Sequence, residues 1–181
     1  MAAETECFIS VDVETSGPVP GDYSMLSLGS CVTGDPNESF YVEIKPLNDR
    51  AIPDALKISG FDMAELAETG ESPEDAMAKF AAWANKVVAG RKGVFVGLNA
   101  GFDWSFVNWY FNHFAVENPF GFAPLDIKSY YMGLIGCAWE DTKSSRMRPE
   151  FQPAKPGDHN ALADARAQAE MFEKMRAAER R

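Results

Sequence analysis

The stretch FISVDVETSG, residues 8–17, decides the fold, because an apolar segment of high β-propensity runs directly into Asp12 and Glu14. Side chains two apart in a strand point to the same face, so the two carboxylates converge while the apolar residues that alternate with them face the other side. Two like charges held together need a cation, and carboxylate oxygens suit Mg²⁺ or Mn²⁺. Taken alone, the pair also fits a strand that ends in solvent.

The composition indicates one compact domain that spans residues 1–181. Of the 181 residues, 46% are hydrophobic and 24% are charged, which is enough for a sizeable core. Three widely spaced cysteines without a C-x-x-C pair suggest neither a disulfide framework nor a zinc site. The N-terminus lacks the features of a signal peptide, and no apolar stretch approaches the roughly 18 residues of a membrane span. We therefore expect a cytoplasmic protein that does not bind membranes.

The order of predicted elements indicates an α/β fold. Segments 7–13, 24–33 and 39–45 have high β-propensity, and turn residues at 34–37 connect the last two, which predicts an antiparallel start. After these segments the apolar residues recur at intervals of three and four, as in a helix, and predicted strands alternate with predicted helices. The later predicted strands cover 94–98 and 123–127. Four of the five predicted helices have assigned ranges, about 73–89, 102–115, a short segment after 127, and 160–178, and one further helix precedes residue 94. The order β-β-β-α-α-β-α-β-α-α predicts a mixed sheet flanked by helices.

Two further acids lie near the starts of predicted helices. Asp103 follows Asn99-Ala100-Gly101 at the kind of sheet edge where sites assemble, although a first-turn acid favoured by the helix dipole fits equally. His159 and Asp164 belong to the segment PGDHNALADA, which places His159 at the flexible mouth of the last helix and Asp164 one turn inside it. An acid beside an apolar helix face is costly unless it is paired or bound to metal. The alternative is a solvated acid next to a histidine of the capping loop.

Together these elements resemble the motifs of a known family. VDVETSG, NAGFD at 99–103 and HNALADA at 159–165 are similar, in order, spacing and predicted setting, to the three motifs of the DEDDh 3′–5′ exonucleases. This family includes ribonuclease T, oligoribonuclease and the epsilon proofreading subunit of bacterial DNA polymerase III. The resemblance covers residues 8 to about 172. It implies a ribonuclease H-like fold, a five-stranded mixed sheet with three antiparallel and then two parallel strands, whose central first strand carries the D-x-E.

The resemblance also implies a mechanism. A metal-dependent 3′–5′ exonuclease would release nucleoside 5′-monophosphates from single-stranded DNA or RNA 3′ ends, including those of short oligonucleotides. Two ions, Mg²⁺ or Mn²⁺, would be held by the four carboxylates, with Asp12 shared between them and Asp103 reaching the second ion through water. His159 resembles the general base, since histidine changes its protonation near neutral pH. The metal ligands implied are Asp12, Glu14, Asp103 and Asp164.

Several neighbouring residues are candidate substrate contacts. Thr15 and Ser16 directly follow the D-x-E, so their N–H groups and hydroxyls are placed to meet the terminal nucleotide, unless they only mark the end of a strand. Phe102 is a candidate for stacking on a base, with core packing as the alternative. Asp126 matches an acid common in the family, which we interpret as a residue that supports the ligands. Many relatives have a histidine where Leu98 stands, but that histidine is not a metal ligand.

The charge of the chain limits how it can bind nucleic acid. A net charge of −10 argues against extended nonspecific binding, which relies on a basic surface. One basic segment precedes His159, and it is either a solvated face or a contact for phosphate. Its members are Lys143, Arg146, Arg148 and Lys155. A non-catalytic nucleic-acid-binding or polymerase-docking module on the same fold is the alternative function, and a homodimer, as in some relatives, is compatible with the sequence.

Overall fold

Five strands form one mixed sheet in the computed structural model, which describes residues 5–179. The strand order is β3-β2-β1-β4-β5; β2 pairs antiparallel with β1 and β3, whereas β4 pairs parallel with β1 and β5. The strands are β1 (Glu6–Thr15), β2 (Met25–Val32), β3 (Asp35–Glu43), β4 (Lys92–Gly97) and β5 (Leu125–Asp126). The predicted three antiparallel and two parallel strands are confirmed, and so is the central position of the first strand.

Helices cover both faces of this sheet. They are α1 (Pro53–Ser59), α2 (Met63–Thr69), α3 (Pro73–Val88), α4 (Ala100–His113), α5 (Ile127–Ile135) and α6 (Ala161–Glu179). Three helices precede β4 where the sequence predicted two, because a proline in the first turn of α1 and an Asp62 cap on α2 start two separate short helices. Three 3₁₀ turns lie between 139 and 151, in the segment that separates α5 from α6. None of the helices in the described range has both the length and the apolar character that crossing a bilayer requires.

The connection between β2 and β3 differs from the prediction. The sequence placed a turn at 34–37, but β3 already begins at Asp35, which is the register partner of Val32. The register then shifts, so that the next pair is Cys31 with Ser39. Arg166 of α6 explains the irregular segment, because its guanidinium donates to the Pro36 carbonyl at 3.1 Å and to Ser39 Oγ at 3.1 Å. The predicted turn residues therefore form a bulge that is bound to α6.

Alternation along β1 separates two apolar clusters. Cys7, Ile9, Val11 and Val13 belong to the cluster that contains α3 and α4. Phe8 faces the opposite side, where its ring lies 5.4 Å from that of Phe172 in α6. Asp12 and Glu14 are an even number of residues from Phe8, so their side chains lie on the same face of β1, the face covered by α6. They lie beyond the end of the apolar contacts between β1 and α6. The predicted separation of acids from apolar residues is confirmed.

Candidate active site

The first turn of α6 lies directly on β2, next to Asp12. Gly29 is the register partner of Asp12, and a Cβ at Gly29 would lie 2.1 Å from the Ala161 carbonyl carbon and 2.1 Å from the Leu162 nitrogen. Real Cβ atoms do not come so close to backbone, so this approach requires glycine. The contact fixes the start of α6 over the strand that pairs with the D-x-E, and it brings Asp164 to the site.

His159 and Asp164 lie beside Glu14. One ligand atom from each of the three residues lies within 4.8 Å of the others. His159 is exposed and has a left-handed backbone, with φ of 63°. Asn160 then caps α6, because its Oδ1 accepts a hydrogen bond from the Ala163 N–H at 3.1 Å. The structure thus places the imidazole at the mouth of the helix, as the sequence predicted.

Asp103 reaches the site from the first turn of α4. Its side chain is buried, and Oδ1 accepts a hydrogen bond from the backbone N–H of Val13 at 3.1 Å. Val13 separates Asp12 from Glu14, so this bond ties α4 to the D-x-E itself. Asp126 supports the same region, since its Oδ1 accepts from the N–H of Ala100 at 3.0 Å while Oδ2 caps α5.

Gln168 belongs to the site, although the sequence analysis did not identify it. Its Nε2 donates to Asp12 Oδ1 at 2.6 Å, and its Oε1 accepts from the Leu98 N–H at 2.8 Å. Residues four apart in a helix share a face, so Gln168 lies one turn beyond Asp164 on the side that faces β1. This spacing is the signal by which the sequence could have revealed it.

The electrostatics of the four carboxylates are unfavourable without a cation. Burial raises the pKa of Glu14 to about 7, and the charge of Asp164 adds to this shift. Burial also raises the pKa of Asp103 to about 7, against the opposing effect of the Val13 N–H. For Asp12, burial and then the charges of Asp103, Asp164 and Glu14 raise the pKa well above its ordinary value. Burial also raises the pKa of Asp164, although the backbone N–H of Asp158 and the charge of His159 oppose this shift. Burial therefore destabilises the charged form of each of the four carboxylates.

The donor set fits divalent metal ions. Asp164 Oδ1 is buried, and within residues 5–179 it has no hydrogen-bond partner. Across the same range, no lysine or arginine forms an ion pair with Asp12, Glu14, Asp103 or Asp164. Buried acids are normally paired or bound to metal, and hard cations such as Mg²⁺ and Mn²⁺ prefer oxygen ligands. The cluster thus has the composition and the unmet charge of a metal site.

The hydroxyl groups of Ser16 and Thr15 form hydrogen bonds within the protein. The Ser16 N–H donates to the Ser24 carbonyl at 2.9 Å, and its hydroxyl donates to the Arg50 carbonyl at 2.8 Å and accepts from the Ser24 N–H. Thr15 Oγ1 donates to the Gly17 carbonyl at 2.9 Å. Both side chains are buried, so they shape the loop that follows the D-x-E.

Phe102 lies at the start of α4, next to Asp103. Its ring is 5.4 Å from that of Phe106 and packs against the larger apolar cluster. The side chain is only half-buried, so part of the ring remains accessible to a ligand.

Half of the predicted basic segment is neutralised by its own neighbours. Arg146 Nη1 lies 2.7 Å from Glu140 Oε1, and Arg148 Nη1 lies 4.0 Å from Glu150 Oε1. Lys143 and Lys155 are exposed. The segment therefore offers less free positive charge than its sequence suggested.

A cleft of about 490 Å³ gives access to two of the four carboxylates. It is lined by Asp12, Asp164, His159 and Gln168, and its other wall is formed by residues 144–157. A larger open groove of about 1190 Å³ shares Pro156 and Ala167 with this cleft, but none of the four carboxylates lines it. The chemistry therefore belongs to the smaller cleft.

A D-x-E on the central strand, joined by acids from α4 and α6 and by a histidine at the helix mouth, defines a nuclease domain. The RNase_T exonuclease family model matches residues 9–172, and the chain belongs to this family. The 3′–5′ DNA exonuclease Cap18 of Escherichia coli is 49% identical over 173 residues, which are 95% of this chain and 92% of that protein. The chain is therefore an enzyme of the 3′–5′ exonuclease class.

Solved structures share the fold. The nuclease domain of 3′hExo, a DEDDh family member bound to rAMP, matches this structure with a TM-score of 0.80 at 12% sequence identity. The match covers 98% of this chain and 94% of that chain. The zinc-bound complex of E. coli ExoI with single-stranded DNA matches with a TM-score of 0.72 at 18% sequence identity. That match covers 98% of this chain and 42% of the ExoI chain. The resemblance seen in the sequence motifs and the predicted ribonuclease H-like fold are confirmed.

Proposed function

We propose that the protein removes nucleoside 5′-monophosphates one at a time from the 3′ ends of single-stranded DNA, in a reaction that depends on two divalent metal ions. The observation that carries this proposal is the convergence of four carboxylates from β1, α4 and α6, one of them with a buried and unpartnered oxygen. DNA is preferred over RNA as the substrate because Cap18, the relative at 49% identity, is a DNA exonuclease.

The metal ligands follow from the positions of the four acids. Asp12, Glu14 and Asp164 would hold one ion, and Asp12 together with Asp103 would hold the other. Mg²⁺ or Mn²⁺ suits this set of oxygens better than zinc, which favours nitrogen and sulfur ligands. When bound, two such ions activate a water molecule and stabilise the charge on the departing 3′ oxygen.

His159 is the proposed general base. It lies at the entrance of the cleft, is accessible to water, and lies near Glu14 and Asp164. A neutral imidazole in this place accepts the proton of the attacking water. The same proximity fits an alternative in which the imidazole is a metal ligand, so the two roles need to be separated by experiment.

The substrate is proposed to enter with its 3′ end between the cleft and α4. Phe102 would stack on the terminal base with the accessible part of its ring. Thr15 and Ser16 would contribute by holding the loop beside Glu14 in shape, because their hydroxyls are bonded within the protein. An acidic surface favours short single-stranded ends over long duplexes, since repulsion grows with each added phosphate.

The test uses 5′-labelled single-stranded DNA and RNA of equal sequence. We expect a ladder of single-nucleotide steps on DNA that disappears in excess EDTA, and no cleavage of a circular substrate. The variant Asp103→Asn should be inactive. Cleavage that persists without metal, or cuts inside a circle, would contradict the proposal, while metal-dependent DNA binding without any hydrolysis would favour the non-catalytic module.

Two variants separate the roles of His159. His159→Ala should lose roughly 10²- to 10⁴-fold in kcat while it still binds two Mn²⁺ ions in calorimetry. His159→Asn is the matched variant, because asparagine tolerates the left-handed backbone that position 159 requires. Loss of Mn²⁺ binding in both variants would reassign the imidazole as a ligand.

The remaining expectations rest on the sequence. A single domain over residues 1–181, a homodimer and a cytoplasmic location stay predictions.

A further inference from the structure

One side-chain amide joins three elements at the carboxylate site. Gln168 of α6 is only 6% exposed, donates to Asp12 of β1 at 2.6 Å and accepts from the Leu98 N–H, directly after β4, at 2.8 Å. Gln168 also lies seven residues, or about two turns, beyond Ala161, so it is on the helix face that the contact with Gly29 holds against the sheet. One end of the amide is therefore held by backbone, and its other end holds the Asp12 carboxylate.

The direction of these hydrogen bonds is fixed by chemistry. A backbone N–H can only donate, so Leu98 selects Oε1 of Gln168 as its acceptor. Nε2 must then face Asp12, and an amide nitrogen can only donate. Asp12 Oδ1 is therefore the acceptor of this bond, and the Leu98 N–H fixes the orientation of the amide that donates it.

We propose that Gln168 is a positioning residue that holds the Asp12 carboxylate in the orientation that the metal ions require. The bond occupies one lone pair of Asp12 Oδ1 and leaves the other lone pairs of the carboxylate for the cations. Residues that bond to a metal ligand fix its orientation and commonly change metal affinity. Because Leu98 directly precedes the segment 99–103, the same amide also connects Asp12 to the segment that carries Asp103.

The test compares Mn²⁺ affinity in three variants, and it depends on the proposed metal site. Gln168→Met keeps the length of the side chain but removes both bonds, and should weaken Mn²⁺ binding by about 10- to 100-fold in calorimetry. Gln168→Glu keeps the shape and replaces the donor by a second carboxylate against Asp12, so the loss should be larger. Gln152→Met is the matched control, because Gln152 lines the same cleft but its side-chain amide donates to the carbonyls of Ser144 and Met147 and, within residues 5–179, to none of the four carboxylates. Its Mn²⁺ affinity should equal that of the unmodified protein.

Kinetics distinguish positioning from a structural role. In Gln168→Met the Mn²⁺ concentration for half-maximal activity should rise, whereas kcat at saturating Mn²⁺ should recover most of its original value. The unmodified protein supplies a readout that does not depend on the folding of a variant: the side-chain ¹⁵NH₂ signals of Gln168 should shift on addition of Mg²⁺.

The outcomes separate this role from the function itself. The role of Gln168 would be overturned by unchanged Mn²⁺ affinity in Gln168→Met, or by Gln168 ¹⁵NH₂ signals that do not shift on addition of Mg²⁺. Neither result would contradict the nuclease function. A failure of the unmodified protein to bind Mn²⁺ would overturn the metal site and this role together.

Discussion

Gly29 and Ala161 lie so close together that a methyl group at position 29 would be 2.1 Å from the Ala161 carbonyl carbon. Because Gly29 pairs with Asp12 and Ala161 begins α6, this contact sets the distance between the D-x-E and the acid on α6. The spacing of the proposed metal ligands therefore depends on one residue without a side chain.

Gly29→Ala should destabilise the fold and weaken metal binding together. The obstacle is backbone, which cannot rotate away, so α6 must move, at a typical overpacking cost of about 1–3 kcal/mol. Urea unfolding and Mn²⁺ titration measure the two effects. The control is Gly34→Ala in the β2–β3 connection, where an added Cβ meets nothing within 4 Å. If Gly29→Ala and Gly34→Ala had the same free energy of unfolding and the same Mn²⁺ affinity, the contact of Gly29 with α6 would not be tight in solution.

Gly157→Ala should impair metal binding and leave stability nearly unchanged. An added Cβ would lie 1.7 Å from Asp164 Oδ1, which is the mobile end of a side chain, so the carboxylate or the exposed loop can move at little cost to the fold. We expect a change in unfolding free energy within about 0.5 kcal/mol and a loss of Mn²⁺ affinity of at least about tenfold. Gly133→Ala, with open space around it, is the control. A variant that binds Mn²⁺ normally would argue that Asp164 is not a ligand.

The stability of the metal-free protein should fall as pH rises. The pKa of Glu14 is raised from 4.5 to about 7, and that of Asp103 from 3.8 to about 7. Between about pH 4 and 7 the folded protein therefore keeps protons that the unfolded chain releases, so the free energy of unfolding decreases with increasing pH over this window. The proposed metal site requires ionised carboxylates, so Mn²⁺ should oppose the decrease.

Urea unfolding at pH 5.5 and pH 8, in EDTA and in Mn²⁺, tests this dependence. Asp103→Asn removes one of the titrating groups and should flatten the EDTA profile. Greater stability at pH 8 than at pH 5.5 in EDTA would contradict the raised pKa values.

DNA binding should depend only weakly on salt and on length. Arg146 and Arg148 already have acidic partners, so we expect two or three phosphate contacts for the site, Lys143 and Lys155 among them. Each contact on a single strand contributes about −0.7 to the slope of log K against log salt, which gives about −1.5 to −2. Affinity of Asp103→Asn for DNA oligomers in Ca²⁺ measures the slope.

Lys155→Ala should make this slope shallower by about 0.7 if its ammonium contacts a phosphate. A slope steeper than about −4, or affinity that still increases beyond about six nucleotides, would reveal an extended basic track.

The sequence by itself determined the parts of this protein that depend on local pattern. The period of two in residues 8–17 predicted which face of β1 carries Asp12 and Glu14, because strand geometry alone sets that alternation. The placement of His159 before the last helix followed from Pro156, Gly157 and the apolar stripe beyond them, which are local signals of a helix start.

Tertiary structure decided which groups bond to one another. Gln168 and Asp12 are 156 residues apart, and only the packing of α6 on Gly29 brings them together. Ser16 has the same side chain whether it meets a nucleotide or the Arg50 carbonyl, and the fold selected the carbonyl. A residue's type states what it can donate or accept, but its partner is set by which distant backbone the packed core places within hydrogen-bond distance.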